Sequence, residues 1–280
     1  MITPHAAPSP STASPTHPAF ADIDWQGRAL HLEYAWVGSP GSPHPTVVFL
    51  HEGLGSIALW KDFPEQFCRA HGMRGLVFSR YGYGRSTPRP HDERWPVDFM
   101  ERQAREVLPA LLRQLGVERP WLFGHSDGAS IALLAAAHAE DPAGFAVSGV
   151  VVLAPHIMVE EAGLVSIRQA RFAYLAGPLR ERLARYHEDV DSAFWGWNDV
   201  WLDPAFRTWD IGAEVARIRA PLLAIQGEDD EYGTLAQIDG IRRLAPHSAS
   251  LVLPHCGHSP HRDQPDQVIE AAGRFMLQPR

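Results

Sequence analysis

Cysteine is nearly missing from this chain. Cys68 and Cys256 are the only two in 280 residues, far apart and without CxxC or other ligand spacing. That argues against a disulfide scaffold and against a cysteine metal site, and both thiols are read as reduced, in a cytoplasmic protein. A long apolar run is also missing: none reaches the ~20 residues of a membrane-spanning helix, so no membrane partner is expected. No basic cluster stands out against a formal net charge of −8 and a pI near 6.0, which argues against a nucleic-acid surface and leaves a small molecule as the expected partner. The opening stretch "MITPHAAPSPSTASPTHPAF" lacks the basic and apolar regions of a signal peptide. Residues 1–19 are expected to form a flexible tail, because Pro, Ser, Thr and Ala bury too little surface to order themselves.

What is present is ordinary globular material, 45% hydrophobic and 21% charged, enough for one α/β unit with an insertion. Strand-like "ALHLEYAWV" (29–37) and the β-branched run "PTVVFL" (45–50) precede helical spacing over 59–72, which stops at Gly72. A short strand over 75–79, a Gly/Arg loop and an amphipathic segment over 97–115 follow. Then come "PWLFGHS" with its helix, strands near 147–155 and 220–227, a helix over 234–245, a strand over 248–254 and a closing helix over 266–277. Buried strands alternating with helices predict an α/β fold: a mostly parallel central sheet with helices on both faces. The rhythm breaks over 156–218, where no strand is apparent and four of the nine tryptophans (Trp195, Trp197, Trp201 and Trp209) crowd together. This stretch is expected to be a helical lid inserted between core segments 20–155 and 219–280; extra helices packed on the core are the plainer alternative. No internal repeat is visible.

"WLFGHSDG" places Gly124 and Gly128 on either side of Ser126, after an apolar strand and before the helical "ASIALLAAA". A sharp strand-to-helix turn of this kind needs small neighbours, exposes the serine oxygen, and aims the backbone N–H of Asp127 at a developing oxyanion. On its own, G-x-S-x-G could equally be a helix N-cap. A nucleophilic serine needs a base, and the base needs an orienting acid. Two later strands each end in a loop with suitable residues: Glu228, Asp229, Asp230 and Glu231 in "EDDEYG", and His255, His258 and His261 in "HCGHSPH". The spacing H-x-x-H-x-x-H also resembles a metal cluster, but nothing else supplies ligands, so no metal and no cofactor is expected.

From about residue 25 to 278 the chain resembles the α/β-hydrolase fold superfamily. "FLHEGLGS" resembles its His-Gly oxyanion loop, and "SRYGYGRS" resembles its D-x-R-G-x-G-x-S loop with Ser79 in place of the usual Asp. The resemblance implies Ser126 as nucleophile, His258 as base and Asp230 as acid, with Asp229 the rival for the acid. It also implies an oxyanion hole from the backbone of Asp127 and of Gly53, or of Leu54 as the alternative, with Glu52 departing from the family's Gly and His51 holding the turn. Relatives with a carboxylate nucleophile carry an Asp at the elbow itself, where this chain has Ser126, so Asp127 is expected to serve only through its N–H. Its side chain either complements the helix dipole or, with Glu52, shapes pocket charge against Arg80. Leu54, Glu52, Arg80, Trp195 and Trp197 are the expected pocket residues. The implied activity is hydrolysis of a carboxylic ester, thioester or lactone of a small to medium apolar substrate. Hydrolysis of a carbon–carbon bond beside a ketone and ligand binding without turnover are the alternatives.

Overall fold

A computed structural model describes residues 19–141 and 144–278. Eight strands form one sheet: β1 (Ala19–Trp25), β2 (Arg28–Gly38), β3 (Val47–Leu50), β4 (Arg74–Phe78), β5 (Trp121–His125), β6 (Gly149–Leu153), β7 (Leu222–Gly227) and β8 (Ala249–Leu253). Their spatial order is β1-β2-β4-β3-β5-β6-β7-β8. The pairings of β2 with β1 and with β4 are antiparallel, and every other one is parallel.

The central strands β3, β5 and β6 are buried along their whole length, as a parallel sheet covered on both faces requires. Alternate side chains therefore feed two separate apolar layers. Val48, Leu50, Leu122 and Val150 face the layer that holds the helix Asp127–Ala137. Val47, Phe49, Phe123 and Val151 face the other, with Phe63 and Phe67 from one helix and Val268 from the last. The helix Asp127–Ala137 is buried at every position, which explains a sequence that is apolar all round instead of amphipathic.

Most of the expected elements stand within two or three residues of their sequence-derived ends. The helix expected over 59–72 begins later, at Phe63, behind a short 3-10 turn at Ile57–Trp60, and ends as expected at Gly72 with φ of 63°. The segment expected over 97–115 carries a π turn at Gln103–Val107, just before Pro109, whose ring would clash with the carbonyl of Arg105 in a regular helix. One element was not foreseen. β1 pairs with β2 through a hairpin whose two turn residues, Gln26 and Gly27, have φ of 55° and 77°, the left-handed pair that a tight two-residue hairpin needs. Ala19 thus belongs to a strand and not to the expected tail, and residues 1–18 of that tail lie outside the described residues.

Between β6 and β7 the chain makes the helices Glu161–Ala176, Leu179–Leu183, Val190–Trp201 and Gly212–Val215, and adds no strand to the sheet. Helix Val190–Trp201 starts where Asp189 accepts a hydrogen bond from the Ser192 N–H at 2.8 Å, a side-chain N-cap. Among the described residues no helix is long and apolar enough to cross a membrane.

Candidate active site

β5 ends at His125 and the next helix begins at Asp127, so Ser126 takes the whole change of direction. Its backbone sits at φ 53°, ψ −121°, a conformation costing on the order of 1–3 kcal/mol that surrounding structure must impose. Its neighbours impose it. A Cβ at Gly124 would strike the Gly128 carbonyl, and one at Gly128 would strike the Leu50 carbonyl. The Ser126 N–H donates to the Leu153 carbonyl at 2.9 Å, tying the turn to β6. The N-cap alternative fails, because the Ser126 side chain caps nothing. Its Oγ lies instead 2.9 Å from His258 Nε2.

His258 Nδ1 lies 2.8 Å from Asp230 Oδ1. A carboxylate can only accept, so the ring proton sits on Nδ1 and Nε2 is left to accept the Ser126 hydroxyl proton. Asp230 Oδ1 also accepts from the backbone N–H of Tyr232 at 2.8 Å and of Gly233 at 3.2 Å, while Gln226 Nε2 donates to Oδ2 at 3.2 Å. Burial pushes the Asp230 carboxyl up, but His258 and the Tyr232 N–H outweigh it and hold the group below its ordinary range. Asp229 and Glu228 are exposed, and Glu231 accepts from the His258 N–H at 3.2 Å. Of four adjacent acids, the turn delivers Asp230 to the imidazole.

The three histidines of the H-x-x-H-x-x-H stretch separate. His255 is exposed, His258 meets Ser126, and His261 is buried against Trp60 with ring centroids 4.7 Å apart. Among the described residues no group of three or more His, Cys, Asp or Glu is arranged to hold a metal.

The loop after β3 lies beside the elbow. His51 is fully buried; its Nε2 accepts from the Arg80 N–H at 2.9 Å and its Nδ1–H donates to the Glu52 carbonyl at 2.7 Å. It holds the turn, and burial together with the Arg80 charge keeps its pKa well below the usual histidine value. Gly53 lies directly under Trp197, since a Cβ there would collide with the indole nitrogen. Leu54 is half-buried, and its carbonyl accepts from His187 Nε2 at 3.0 Å. Asp127 occupies the first helical position, where no intrahelical acceptor exists for its N–H.

The charged residues are arranged differently from the expectation. Glu52 turns its carboxylate to His125, with Oε2 3.5 Å from Nδ1; among the described residues the Arg80 guanidinium hydrogen-bonds only the Glu52 carbonyl, Nη2 to O at 2.8 Å. Burial opposes the Glu52 charge, but His125, His51 and His261 more than compensate and hold the carboxyl well below its usual range. The Asp127 carboxyl is not displayed on a solvated first turn. It is buried, accepts from Trp201 Nε1 at 3.2 Å through Oδ1, and its pKa is pushed up to about 6 by desolvation against the pull of Arg80 and Trp201. Trp197 lies against Gly53 and Trp201 bonds Asp127, whereas Trp195 packs on Tyr174 and Phe194 with the Arg171 guanidinium 5.2 Å from its ring centre.

Several residues of the site were not anticipated. Ser79 Oγ donates to Glu33 Oε2 at 2.8 Å, and the Arg85 N–H donates to the same oxygen at 3.0 Å. A carboxylate from β2 thus stands in for the missing loop Asp, and no local pattern could have shown it. His125 Nε2–H donates to the His258 carbonyl at 2.7 Å, which braces the base from behind. The i, i+4 spacing of Trp197 and Trp201 was a readable sign that these two share a helix face.

A serine on a strained turn, an imidazole and a carboxylate are thus brought into one hydrogen-bonded line at the ends of strands of a mostly parallel α/β sheet. The sequence profile of the alpha/beta hydrolase family matches residues 47–271, and the chain belongs to that family. It is 23% identical over 272 residues to the mouse sn-1-specific diacylglycerol lipase ABHD11, covering 89% of this chain and 86% of that one. It is 24% identical over 275 residues to a proline iminopeptidase of Levilactobacillus brevis, covering 85% and 90%. Among solved structures, the enol-lactonase from Burkholderia xenovorans superposes with a TM-score of 0.69 at 18% identity, covering 93% of this chain and 100% of that one. The relatives' names span lipid ester, peptide and lactone chemistry, so the likeness identifies a hydrolase of this family and no one substrate.

Proposed function

We propose that the protein hydrolyses a carboxylic ester, in the broad sense that includes thioesters and lactones, through an acyl-serine intermediate. The observation that carries this reading is His258 set between Ser126 and Asp230, at 2.9 and 2.8 Å, with the serine on a strained elbow. Ser126 Oγ attacks the substrate carbonyl carbon while its proton passes to His258 Nε2. The oxyanion that forms is held by the backbone N–H groups of Asp127 and Gly53, each such donor being worth about 10² to 10³ in turnover. The C–O bond to the alcohol breaks as His258 returns the proton to the leaving oxygen. Water then attacks the acyl-serine with His258 as base, releasing the acid and restoring Ser126. Asp230 does not take the proton; it orients the ring and stabilises its charged form.

Residues 156–218 act as the lid in this reading. Ser126 is 6% exposed, Trp197 lies against Gly53 and Trp201 bonds the Asp127 carboxyl, so in this reading the substrate reaches the serine when helix Val190–Trp201 shifts, and it meets indole surface. That supports a small to medium apolar acyl or alcohol group. The test is labelling with a fluorophosphonate probe together with turnover of p-nitrophenyl esters of graded acyl length. Wild type is expected to be labelled and to turn over the esters, and Ser126→Ala to do neither. Labelling of the Ala variant would overturn the nucleophile assignment.

A further inference from the structure

Buried polar atoms in folded proteins almost always find a partner, and buried cations are nearly always paired with anions. Beside Ser126 both rules are broken at once. Arg80 and Arg89 are 1% and 4% exposed. The Arg80 guanidinium donates to the Glu52 carbonyl, and that of Arg89 to the carbonyls of Pro90 and Ser192. Among the described residues neither has a carboxylate partner, and the Nε of each lacks any hydrogen bond. The Arg80 charge also acts on the Asp127 carboxyl. Its Oδ2 is buried and unpaired, and no ion pair joins it to either arginine among the described residues.

These groups gather around one spot. The Arg80 guanidinium lies 4.6 Å from the Tyr83 ring centre, and the Tyr83 phenol feels the charges of Arg80, Asp127 and Arg89 together. Asp127 follows Ser126 directly in the chain, and the charges of Arg80 and His258 both act on its carboxyl, which ties the cluster to the serine. Arg89 Nε packs against Gly196 of the covering helix, so Arg89 contributes charge from behind and Arg80 is the group able to make contact. Two buried guanidinium groups held only by carbonyls, with polar atoms of Arg80, Arg89 and Asp127 left without a hydrogen bond, describe a site whose donors are not used up.

We propose that Arg80 is a specificity residue that binds a carboxylate carried by the substrate, with Asp127 beside it as the second polar contact. The inference rests on the ester-hydrolase reading above and narrows it: the substrate is an acid-bearing ester, apolar in its body and anionic at one end. The carboxylate can sit on the acyl side or on the leaving-group side, and the experiment separates the two.

The acyl-side pair is p-nitrophenyl hemiglutarate against p-nitrophenyl valerate. The leaving-group pair is para-carboxyphenyl acetate against its neutral methyl ester. A charge-assisted contact of this kind predicts that wild type favours the charged member of one pair by about tenfold to a hundredfold in kcat/KM. Arg80→Gln is expected to abolish that ratio, and Arg80→Lys to keep part of it as a point charge without the fork. Free glutarate should also slow fluorophosphonate labelling of wild type, and less so of R80Q. Equal kcat/KM within both pairs, or a ratio that survives in R80Q, would overturn the inference while leaving the hydrolase reading intact. If R80Q does not fold, the wild-type ratios and R80K decide. If Ser126 is not labelled and no ester is turned over, the hydrolase reading fails and this inference falls with it.

Discussion

Two carboxylate–imidazole pairs flank the elbow, Asp230 with His258 and Glu52 with His125, and their rings lie 5.2 Å apart. The residue types are the same and the jobs differ. In the first pair the contact is 2.8 Å, Asp230 is 1% exposed, and the far nitrogen of the ring faces a hydroxyl. In the second the contact is 3.5 Å, Glu52 is 22% exposed, and the far nitrogen is already committed to a backbone carbonyl. A ring whose one hydrogen bond goes to a fixed backbone carbonyl supports its surroundings; a ring whose second nitrogen meets a serine can move a proton. Asp127 is the third carboxyl of the site and has no imidazole, and its pKa moves the other way, up to about 6, because burial is not compensated. What a carboxylate does here follows from its partner's second nitrogen and from its own burial, not from its nearness to Ser126.

The sharpest test of this contrast is Ser126→Ala, which removes the group that makes the first pair reactive. Ester turnover is expected to fall by about 10⁵-fold or more, measured as kcat on a p-nitrophenyl ester. Asp230→Asn should cost about 10⁴-fold by stabilising the wrong tautomer of His258, whereas Asp229→Asn, on an exposed side chain, should stay within about threefold of wild type. If Asp229→Asn alone collapses activity, the acid has been placed one residue out of register.

Asp127→Asn isolates the unpaired carboxyl through stability. A carboxyl raised from 3.8 to about 6 holds its proton more tightly folded than unfolded. Wild type therefore loses stability as pH climbs from about 4 to about 6, by on the order of 2–3 kcal/mol. The Asn variant has no such loss. The difference in melting temperature between the two proteins should accordingly grow in favour of D127N from pH 4 to pH 8, and a constant difference would refute the assignment. A smaller effect is expected at the brace. His125→Leu removes one bond to the His258 carbonyl and should lower stability by about 1 kcal/mol, with roughly tenfold slower turnover as the base loses its support. A loss as large as that of Asp230→Asn would mean that the two pairs are not different in kind.

Much of the site was readable because it is written in short local patterns. "WLFGHSDG" names the elbow, since a strand, two glycines and a small-residue helix must occur in that order for the turn to close. The loops after β7 and β8 were placed by the apolar strands before them. The local pattern alone left Asp229 and Asp230 open and only the family resemblance favoured Asp230, because neighbours in a turn point in different directions and it is the Tyr232 and Gly233 N–H groups that hold Asp230. The choice among Trp195, Trp197 and Trp201 was half readable. At 3.6 residues per turn the last two share a face and the first does not, but nothing local says which face meets the sheet. Glu33 and His125 were beyond reach, as was the turn of the expected pocket residue Glu52 toward His125, because each partner lies on a different strand or loop.

By itself the sequence determined the alternation of strands and helices, the sharp turn at Ser126 and the presence of an acid loop and a histidine loop downstream, because periodicity and glycine placement act over a few residues. Tertiary structure decided which acid, which histidine and which tryptophans meet, and it decided that Arg80 and Arg89 are buried with no ion pair among the described residues. Those outcomes depend on distances between segments far apart in the chain and on the water excluded between them, and no short stretch of sequence carries either.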